Sequence, residues 1–451
     1  MIDNSYINRL LNGHSDFVNK ANTAERYYMN KNDVLNSSAF YKNNKANEDN
    51  PLKMADNRIS HNWHSLLVNQ KVGYLFTYPP IFDVGNQKLN NYISETLGDE
   101  FNQKNKNIAI DASNSGVGWV HYWIDADTKK FRYERIDPRQ VVPVYSTKLE
   151  SELIGVLRAY TYVDDSGNIK NRCEYWDKEK VKFMEQNSNG LYVSYKFPEV
   201  GEEMYHNLGE VPFIPFYNNS LRISDLIMYK DLIDAYDKVY SGFCNDIEDV
   251  QEVIFVLKNY GGTDKTQFVQ ELKKSKVISV DEDGGVDTIR AEIPYEARKT
   301  FLETTRKQMF TSGMGVDPDI EKIGNTSGVA LEFMYSLLEL KAGLMETEFR
   351  PGYSKLIKAI CRAGGKPEPK TVIQTWTRNA TRNDLETSQI ASQSKGIISN
   401  KSILKNHPWV DDAEKEMEQI AKEQEDEAEI QKIKFGVVDN NPDSGLNYDE
   451  E

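Results

Sequence analysis

The sequence predicts an α+β fold, mainly helical, and three observations carry that expectation. Short apolar runs cut by Gly, Asn, Asp and Pro fill the stretch from Asn57 to Asn219. An unbroken apolar seam at helical spacing begins at Leu226. A strongly acidic, helix-forming stretch occupies Asn383 to Phe435. Strands gathered in one part of a chain and helices in others mark an α+β protein rather than alternating βα units. The chain has 451 residues, enough for several domains of about 100–200 residues each.

The elements follow in chain order. The first fifty residues are polar and Asn-rich, with an aromatic island at Arg26-Tyr27-Tyr28. A helix is expected over about Asp3–Tyr28, then a loosely ordered connector. Ser60 to Phe76 reads as a helix, because His61, His64, Leu67, Val68 and Val72 fall near helical spacing. Trp119–Asp125, Phe131–Arg135, Val141–Tyr145, Ile154–Tyr162 and Val181–Met184 read as strands, with turn signals such as Asp164-Asp165-Ser166-Gly167 between them.

Leu226, Tyr229, Ile233, Tyr236, Tyr240, Phe243, Ile247, Val250, Ile254 and Leu257 are spaced alternately three and four apart. Such a seam predicts one continuous helix, about 48 Å long at ~1.5 Å per residue. A single helix cannot bury its own seam, so subunit neighbours are expected along it. Gly261-Gly262 is the expected stop. A compact insert follows. Thr266–Lys274 reads as a short helix, and Lys276–Val280 with Asp287–Ile293 as a hairpin around Asp281-Glu282-Asp283-Gly284-Gly285. Pro294 suits a first helical turn, and a helix is expected over Tyr295–Phe310 with Arg298, Lys299, Arg306 and Lys307 on a basic face.

Two glycine clusters, Gly313-Met314-Gly315 and Gly324-Asn325-Thr326-Ser327-Gly328, bound a flexible loop. Ser327 is the expected N-cap of a long helix with Ala330, Phe333, Leu337, Leu340 and Leu344 on one face. Pro351-Gly352 is expected to kink or interrupt it. Thr371–Thr377 reads as a strand. Between Asp411 and Glu429 stand ten acidic residues and two lysines, and Gly436–Glu451 reads as disordered.

Composition excludes several classes. Lys and Arg number 55 against 70 Asp and Glu, a formal charge of −15, which argues against a protein that coats DNA. Mean hydropathy is −0.64 and no apolar run reaches the ~18 residues of a membrane span. Met1 to Gly13 shows no basic start followed by an apolar stretch, so no secretory signal is expected. Cys173, Cys244 and Cys361 lie too far apart for a CxxC motif and suit a reducing compartment.

Chemistry-bearing motifs are scarce. There is no phosphate-binding P-loop, and Gly313-Met314-Gly315 lacks dinucleotide-loop spacing. His61 and His64 stand three apart on one expected helix, but no further ligand completes a metal set. Asp281, Glu282 and Asp283 match no EF-hand spacing and read as a solvated hairpin loop. No cofactor, metal or catalytic residue is expected.

Several stretches do match a known family. Glu25-Arg26-Tyr27-Tyr28-Met29-Asn30-Lys31-Asn32-Asp33-Val34-Leu35 is similar to an early "YY…NDI" segment. Asn57-Arg58-Ile59-Ser60-His61-Asn62 through Gln70-Lys71-Val72-Gly73-Tyr74-Leu75-Phe76 is similar to an "N-I-x-x-N…K-x-G-Y-L-x-G" helix. Gly209-Glu210-Val211-Pro212-Phe213 through Asn218-Asn219, the Leu226 seam, and Ser327-Gly328-Val329-Ala330-Leu331 with its continuation complete five stretches in order. Together, from about residue 25 to 435, they resemble the portal proteins of tailed bacteriophages, in particular those of long-tailed phages of Gram-positive hosts.

That resemblance implies a ring, typically a dodecamer, at one capsid vertex with an axial channel for packaging and ejection of DNA. It implies a wing over residues 1–225, stem helices over 226–259 and 294–311, and a clip over 260–293. A tunnel loop over 312–326, a long wing helix and strand over 327–382, a crown over 383–435 and a disordered tail over 436–451 complete it. On position alone, Asp317, Asp319, Glu321, Lys322 and Asn325 fall in the tunnel loop. Arg298, Lys299, Arg306 and Lys307 fall on the tunnel side of the stem, for weak phosphate contacts or stem–stem pairs. Lys273, Lys274, Asp281, Glu282 and Asp283 face partners at the clip, and Tyr236, Tyr240, Phe243, Ile247, Val250 and Ile254 pack the stem.

The implied partners are transient, non-specific double-stranded DNA, other copies of the chain, the terminase large subunit, the major capsid and scaffolding proteins and a head-completion adaptor; no membrane is expected. The implied location is the virion's capsid vertex, after assembly in the host cytoplasm. An acidic channel suits sliding DNA, because phosphate affinity grows with each Lys or Arg contact. Two rival readings are a coiled-coil capsid-assembly scaffold, which the strand-rich 119–219 block disfavours, and a metal-dependent nuclease, for which no paired carboxylates stand at strand ends.

Overall fold

The computed structural model describes residues 3–36, 55–197, 200–249, 254–258, 283, 285–289, 293–318, 328–379, 384–405, 407, 409–410 and 413–435. The chain forms two compact units. One comprises residues 1–318 and 335–379; the other comprises 319–334 and 380–451.

The first unit opens with α1, Asn4–Tyr28, capped by the Asp3 carboxylate accepting from the Tyr6 amide at 2.8 Å. Its inward residues Ile7, Ala21, Ala24 and Tyr27 are buried. After the short α2, Asp33–Asn36, comes α3, Trp63–Phe76, in which eight of fourteen residues are buried. The expected helix began three residues earlier, but the backbone from Ser60 to Asn62 is not helical. Two further helices, α4 (Gln87–Leu97) and α5 (Phe101–Ser115), had no strong sequence signal. Both are rich in Asn and Gln, and α5 buries Asn105, Asp111, Ser113 and Asn114 as well as Ile108 and Ala112, so its polar spacing masks the inward face.

The strand-rich block forms two antiparallel sheets. One has the order β4-β5-β6-β7-β8, with β9 also on β7. These strands are Val141–Tyr145, Leu153–Val163, Ile169–Trp176, Lys180–Gln186, Tyr192–Ser194 and Glu203–Tyr205. The other has the order β10-β2-β3, from Phe213–Tyr217, Val117–Ile124 and Phe131–Ile136. All five expected strands are present, each within a few residues of its predicted bounds. Trp119, Val141, Val156, Trp176, Val181, Phe183 and Phe213 close one core between them. Ile7 of α1 seals the other face of the larger sheet against Leu157, Cys173 and Met184.

The long seam is not one helix. A 3-10 turn, Asp225–Met228, capped by Ser224, precedes α6, Lys230–Asp249. Ile254 and Leu257 lie instead on β11, Ile254–Lys258. Val253-Ile254-Phe255-Val256-Leu257 is a continuous β-branched and aromatic run, which periodicity alone does not separate from a buried helix. Asp246, Glu248 and Asp249 also load the helix end with charge opposed to its dipole. The hairpin partner differs too: β11 pairs antiparallel with β12, Gly285–Ile289, in the register Ile254 to Ile289. The expected helix Thr266–Lys274 and strand Lys276–Val280 lie outside the described residues, as do Val250 and Gly261-Gly262.

The helix α7, Tyr295–Ser312, starts after Pro294, as expected. The longest helix, α8, runs from Gly328 to Ala363 with Pro351 inside it. The expected interruption does not occur. Phe349 and Tyr353 on this turn pack among Phe76, Phe82, Phe101, Phe216 and Trp376 with ring centroids 5.0–6.2 Å apart. A Cβ on Gly352 would meet the Phe216 ring at 2.7 Å. Gly352 is therefore a packing surface while Pro351 faces outward, and aromatic burial on this turn outweighs the one hydrogen bond that proline removes. The strand β13, Ile373–Thr375, pairs with β1, Ile81–Asp83, and so ties distant parts of the chain together.

The second unit is helical where described. Its elements are α9 (Asp384–Gln393), α10 (Asn400–Lys405) and α11 (Ala413–Phe435), together with the start of α8. Among the described residues no helix is long and apolar enough to cross a membrane.

Candidate functional site

The most elaborate polar arrangement sits where α3, the Asp225 turn, α8 and the end of α7 meet. Lys71 lies on the inward face of α3, between Leu67 and Leu75, and is 1% exposed. Its ammonium donates to Asp225 Oδ2 at 2.6 Å and to Asn218 Oδ1 at 2.7 Å. Lys341 of α8 approaches the same carboxylate at 3.1 Å and donates to the Gly313 carbonyl at 2.8 Å. Asn218 Nδ2 donates to Asp225 Oδ1 at 2.8 Å. One carboxylate thus serves two lysines. Burial opposes the charge of Asp225, but Lys341, Lys71 and the Asn218 amide outweigh it and hold the carboxyl well below its ordinary range. Burial and repulsion from Lys341 push Lys71 down to about 8, against the pull of Asp225.

Beside this cluster, His64 is fully buried, with Nδ1 2.8 Å from the Tyr229 hydroxyl and Nε2 3.0 Å from Asn114 Oδ1. Burial pushes the imidazole down to about 4. His61 instead faces the Asp237 carboxylate at 2.8 Å. The two histidines therefore serve separate packed networks. Among the described residues, no three His, Cys, Asp or Glu side chains come together at metal-binding distance.

The cluster anchors the segment that follows α7. Gln70 Nε2 donates to the Val316 carbonyl at 2.7 Å, and the Val316 amide donates back to Gln70 Oε1 at 3.1 Å. Leu67 packs so closely that a Cβ on Gly313 would lie 2.6 Å from its Cδ1, and one on Gly315 would also collide with it. Met314 between them adopts a left-handed backbone, φ 52°. The two glycines of the loop motif thus allow close approach to α3. Arg306 pairs with Asp317 at 2.5 Å. Asp317 stands at this anchored start; Asp319, Glu321, Lys322 and Asn325 lie outside the described residues.

The four basic residues of α7 divide into two kinds. Arg298 pairs with Asp246 of α6 and lies over the Phe243 ring at 5.5 Å, and Arg306 is held by Asp317. Lys299 and Lys307 are exposed and form no ion pair among the described residues. Sequence reasoning left phosphate contact and stem pairing open for all four; both arginines are engaged within the chain.

The packing seam of α6 is not left for neighbours alone, as expected from sequence. Tyr236 and Tyr240 meet the His61 ring at 4.9 and 4.7 Å, and Trp63 packs on Tyr236 and Phe310 at 5.5 and 5.8 Å. Phe243 meets Tyr295 at 6.1 Å. Among the seam residues whose side chains are described, only Ile247 is substantially exposed, 46%. The segment before α3 is the missing neighbour. Of the clip residues, Asp283 is an exposed turn residue; Lys273, Lys274, Asp281 and Glu282 lie outside the described residues.

Sequence reasoning missed Lys71, Asp225 and Lys341. The available signal was a lysine on the apolar face of α3, at helical spacing from Leu67 and Leu75. Such a lysine is buried only with a carboxylate partner, although the sequence does not say which one.

Comparison with known proteins meets this geometry over nearly its whole length. The family described as phage portal protein, SPP1 Gp6-like, matches residues 7–429. The chain belongs to the phage portal protein family. The portal protein of Clostridium phage phiCD119 is 45% identical over 412 residues, covering 87% of this chain and 89% of that one. The portal protein of Bacillus phage SPP1 is 32% identical over 423 residues, covering 90% of this chain and 84% of its own. The matched span holds α6, α7, the anchored loop start and α8, so the Asp225 cluster belongs to a portal subunit.

Proposed function

We propose that the chain assembles into a ring, a dodecamer at one capsid vertex, whose axial channel conducts double-stranded DNA during packaging and ejection. The observation that carries this is the match to portal proteins along nearly the whole chain, from α1 into α11. One feature of the fold supports assembly. Leu337, Leu340 and Leu344 form a row on α8 and are 40–56% exposed in the single chain, an apolar stripe suited to a neighbouring copy.

In this reading residues 1–225 form the wing, α6 and α7 the stem, and the β11–β12 hairpin with its insert the clip. Residues 312–326 form the tunnel loop, 327–382 the long wing helix and strand, 383–435 the crown and 436–451 a tail. Lys299 and Lys307 are the stem cations left for transient phosphate contact, and Asp317, Asp319, Glu321, Lys322 and Asn325 line the narrowest part. The clip, with Lys273, Lys274, Asp281, Glu282 and Asp283, docks the terminase large subunit and later the head-completion adaptor. Capsid and scaffolding proteins meet the ring during assembly in the host cytoplasm, and the mature site is the virion. The net charge of −15 keeps phosphate affinity low, so that DNA slides rather than binds. The chain supplies a conduit, and ATP hydrolysis is left to the motor.

Negative-stain imaging with native mass spectrometry tests the reading. Rings with a central hole are the expected result. An extended rod would favour the scaffold reading, and metal-dependent nicking of plasmid DNA the nuclease reading.

A further inference from the structure

The charge of the chain is divided unevenly. Residues 349–383 hold eight Lys and Arg and one carboxylate, Glu368, in a chain of net charge −15. Three of the arginines are held within the chain: Arg350 by Glu346, Arg362 by Glu210 and Glu368, and Arg378 by Glu339 and Glu346. The lysines are left over. Lys355, Lys366 and Lys370 are exposed and form no ion pair among the described residues, while Lys358 is partly buried in the field of Glu368. Lys355 and Lys358 also continue the outward line of α8. Counted in threes and fours from Leu337, Leu340 and Leu344, the same face reaches Lys355, Lys358 and Arg362. One face of one helix thus begins apolar and ends basic.

The opposite charge stands on α11. Between Asp411 and Glu429 there are ten carboxylates and two lysines. Ala421 to Ala428 are all exposed in the single chain. Glu423, Asp426 and Glu427 share one face of this helix and form no ion pair among the described residues; Glu423 accepts from the Gln419 amide at 3.2 Å.

Two copies of either surface repel each other, whereas the two different surfaces attract. Joining different patches between copies makes a heterologous contact, the kind that closes into a ring. Double-stranded DNA also carries negative charge, but the line on which Lys355 and Lys358 stand begins with leucines, which suit a protein surface and not a phosphate backbone. We infer that the basic end of α8 in one copy docks against the acidic face of α11 in the next. The inference rests on the ring reading above and adds to it both sides of one head-to-tail contact.

Charge exchange tests it on the full chain. One variant carries Lys355→Glu, Lys366→Glu and Lys370→Glu, and the other Glu423→Lys, Asp426→Lys and Glu427→Lys. All six side chains are exposed, so both variants should keep the circular dichroism of the unsubstituted chain. Each variant alone sets like charges together and should lose its rings at a dilution at which the unsubstituted chain keeps them. An equimolar mixture should recover rings, with both variants in equal number by native mass spectrometry, because alternation around a dodecamer meets every reversed surface with its opposite. A mixture no better than its components would show that the two surfaces do not meet between copies and would overturn the inference. Variants that each hold their rings like the unsubstituted chain would also overturn it. So would a lysine variant that keeps its rings but no longer retains double-stranded DNA, since the lysines would then serve phosphates. Absence of rings from the unsubstituted protein would instead remove the ring reading, and this contact with it.

Discussion

Both halves of the continuous helix α8 bury one face, but their outward faces differ in character. Around Phe349, Tyr353, Leu356, Ile357 and Ile360 one face of the helix is buried, and an aromatic shell closes over Gly352 while Pro351 faces outward. Earlier along it, Leu337, Leu340 and Leu344 stand in the open, while Lys341 on the intervening face reaches the buried Asp225. The contrast separates two demands on one element. The later half builds the subunit; the earlier half leaves an apolar row in the open, which the proposed ring would cover with a neighbouring copy. The Lys71–Asp225–Lys341 cluster lies on the inward face of the earlier half and fixes the helix to α3 and to the loop start at Gly313.

The largest effect should come from the cluster. Asp225→Ala leaves two buried lysines without their shared carboxylate, and loss of one partner in such a group costs about 3–5 kcal/mol. Urea unfolding of the variant should show that fall, and a loss under ~1 kcal/mol would mean the lysines find other partners. Phe349→Ala, in the buried half, should cost about 3–5 kcal/mol by the same assay. Gly352→Ala should cost about 1–3 kcal/mol, because its Cβ overpacks against Phe216; a neutral result would show that the ring moves aside freely.

Acid gives a graded test of the buried side. His64 stays neutral in the fold down to about 4, whereas the unfolded chain takes up its proton near 6.5. The unfolded state therefore binds more protons between those values. His64 costs stability as pH falls through that window, by up to about 1.4 kcal/mol per pH unit. His121, also held at about 4 by burial, adds the same sign. Asp111, pushed up to about 6 by burial, works in the opposite direction. His64→Asn should flatten the dependence between pH 4 and 6.5, and an unaltered slope would remove His64 from it. The smallest effect on stability should come from the exposed half: Leu340→Ala should change unfolding by under ~0.5 kcal/mol and still weaken assembly.

The same contrast explains what was legible in the sequence. Strands of the block 119–219 were readable because short apolar runs are cut by clear turn signals. The apolar row Leu337, Leu340 and Leu344 was equally readable, since a helix face needs only its own spacing. The break after Asp249 was not, because the 3-4 seam continues in register into β11 and the deciding partner, Gly285–Ile289, is distant in sequence. Pro351 misled for a similar reason: the aromatic shell that keeps its helix whole comes from five other elements or loops. The Asp225 cluster joins residues 71, 218, 225 and 341, a constellation that no local pattern announces. The basic residues of α7 were found, but only folding shows that Arg298 and Arg306 are engaged and that Lys299 and Lys307 stay exposed.

Native mass spectrometry of the unsubstituted chain beside the Leu337→Asp, Leu340→Asp double variant tests the central claim most directly. The account predicts rings for the former, and for the latter folded single subunits with an unchanged circular dichroism spectrum. Rings of the same mass and resistance to dilution in both would contradict it, since the open half of α8 would then play no part in assembly.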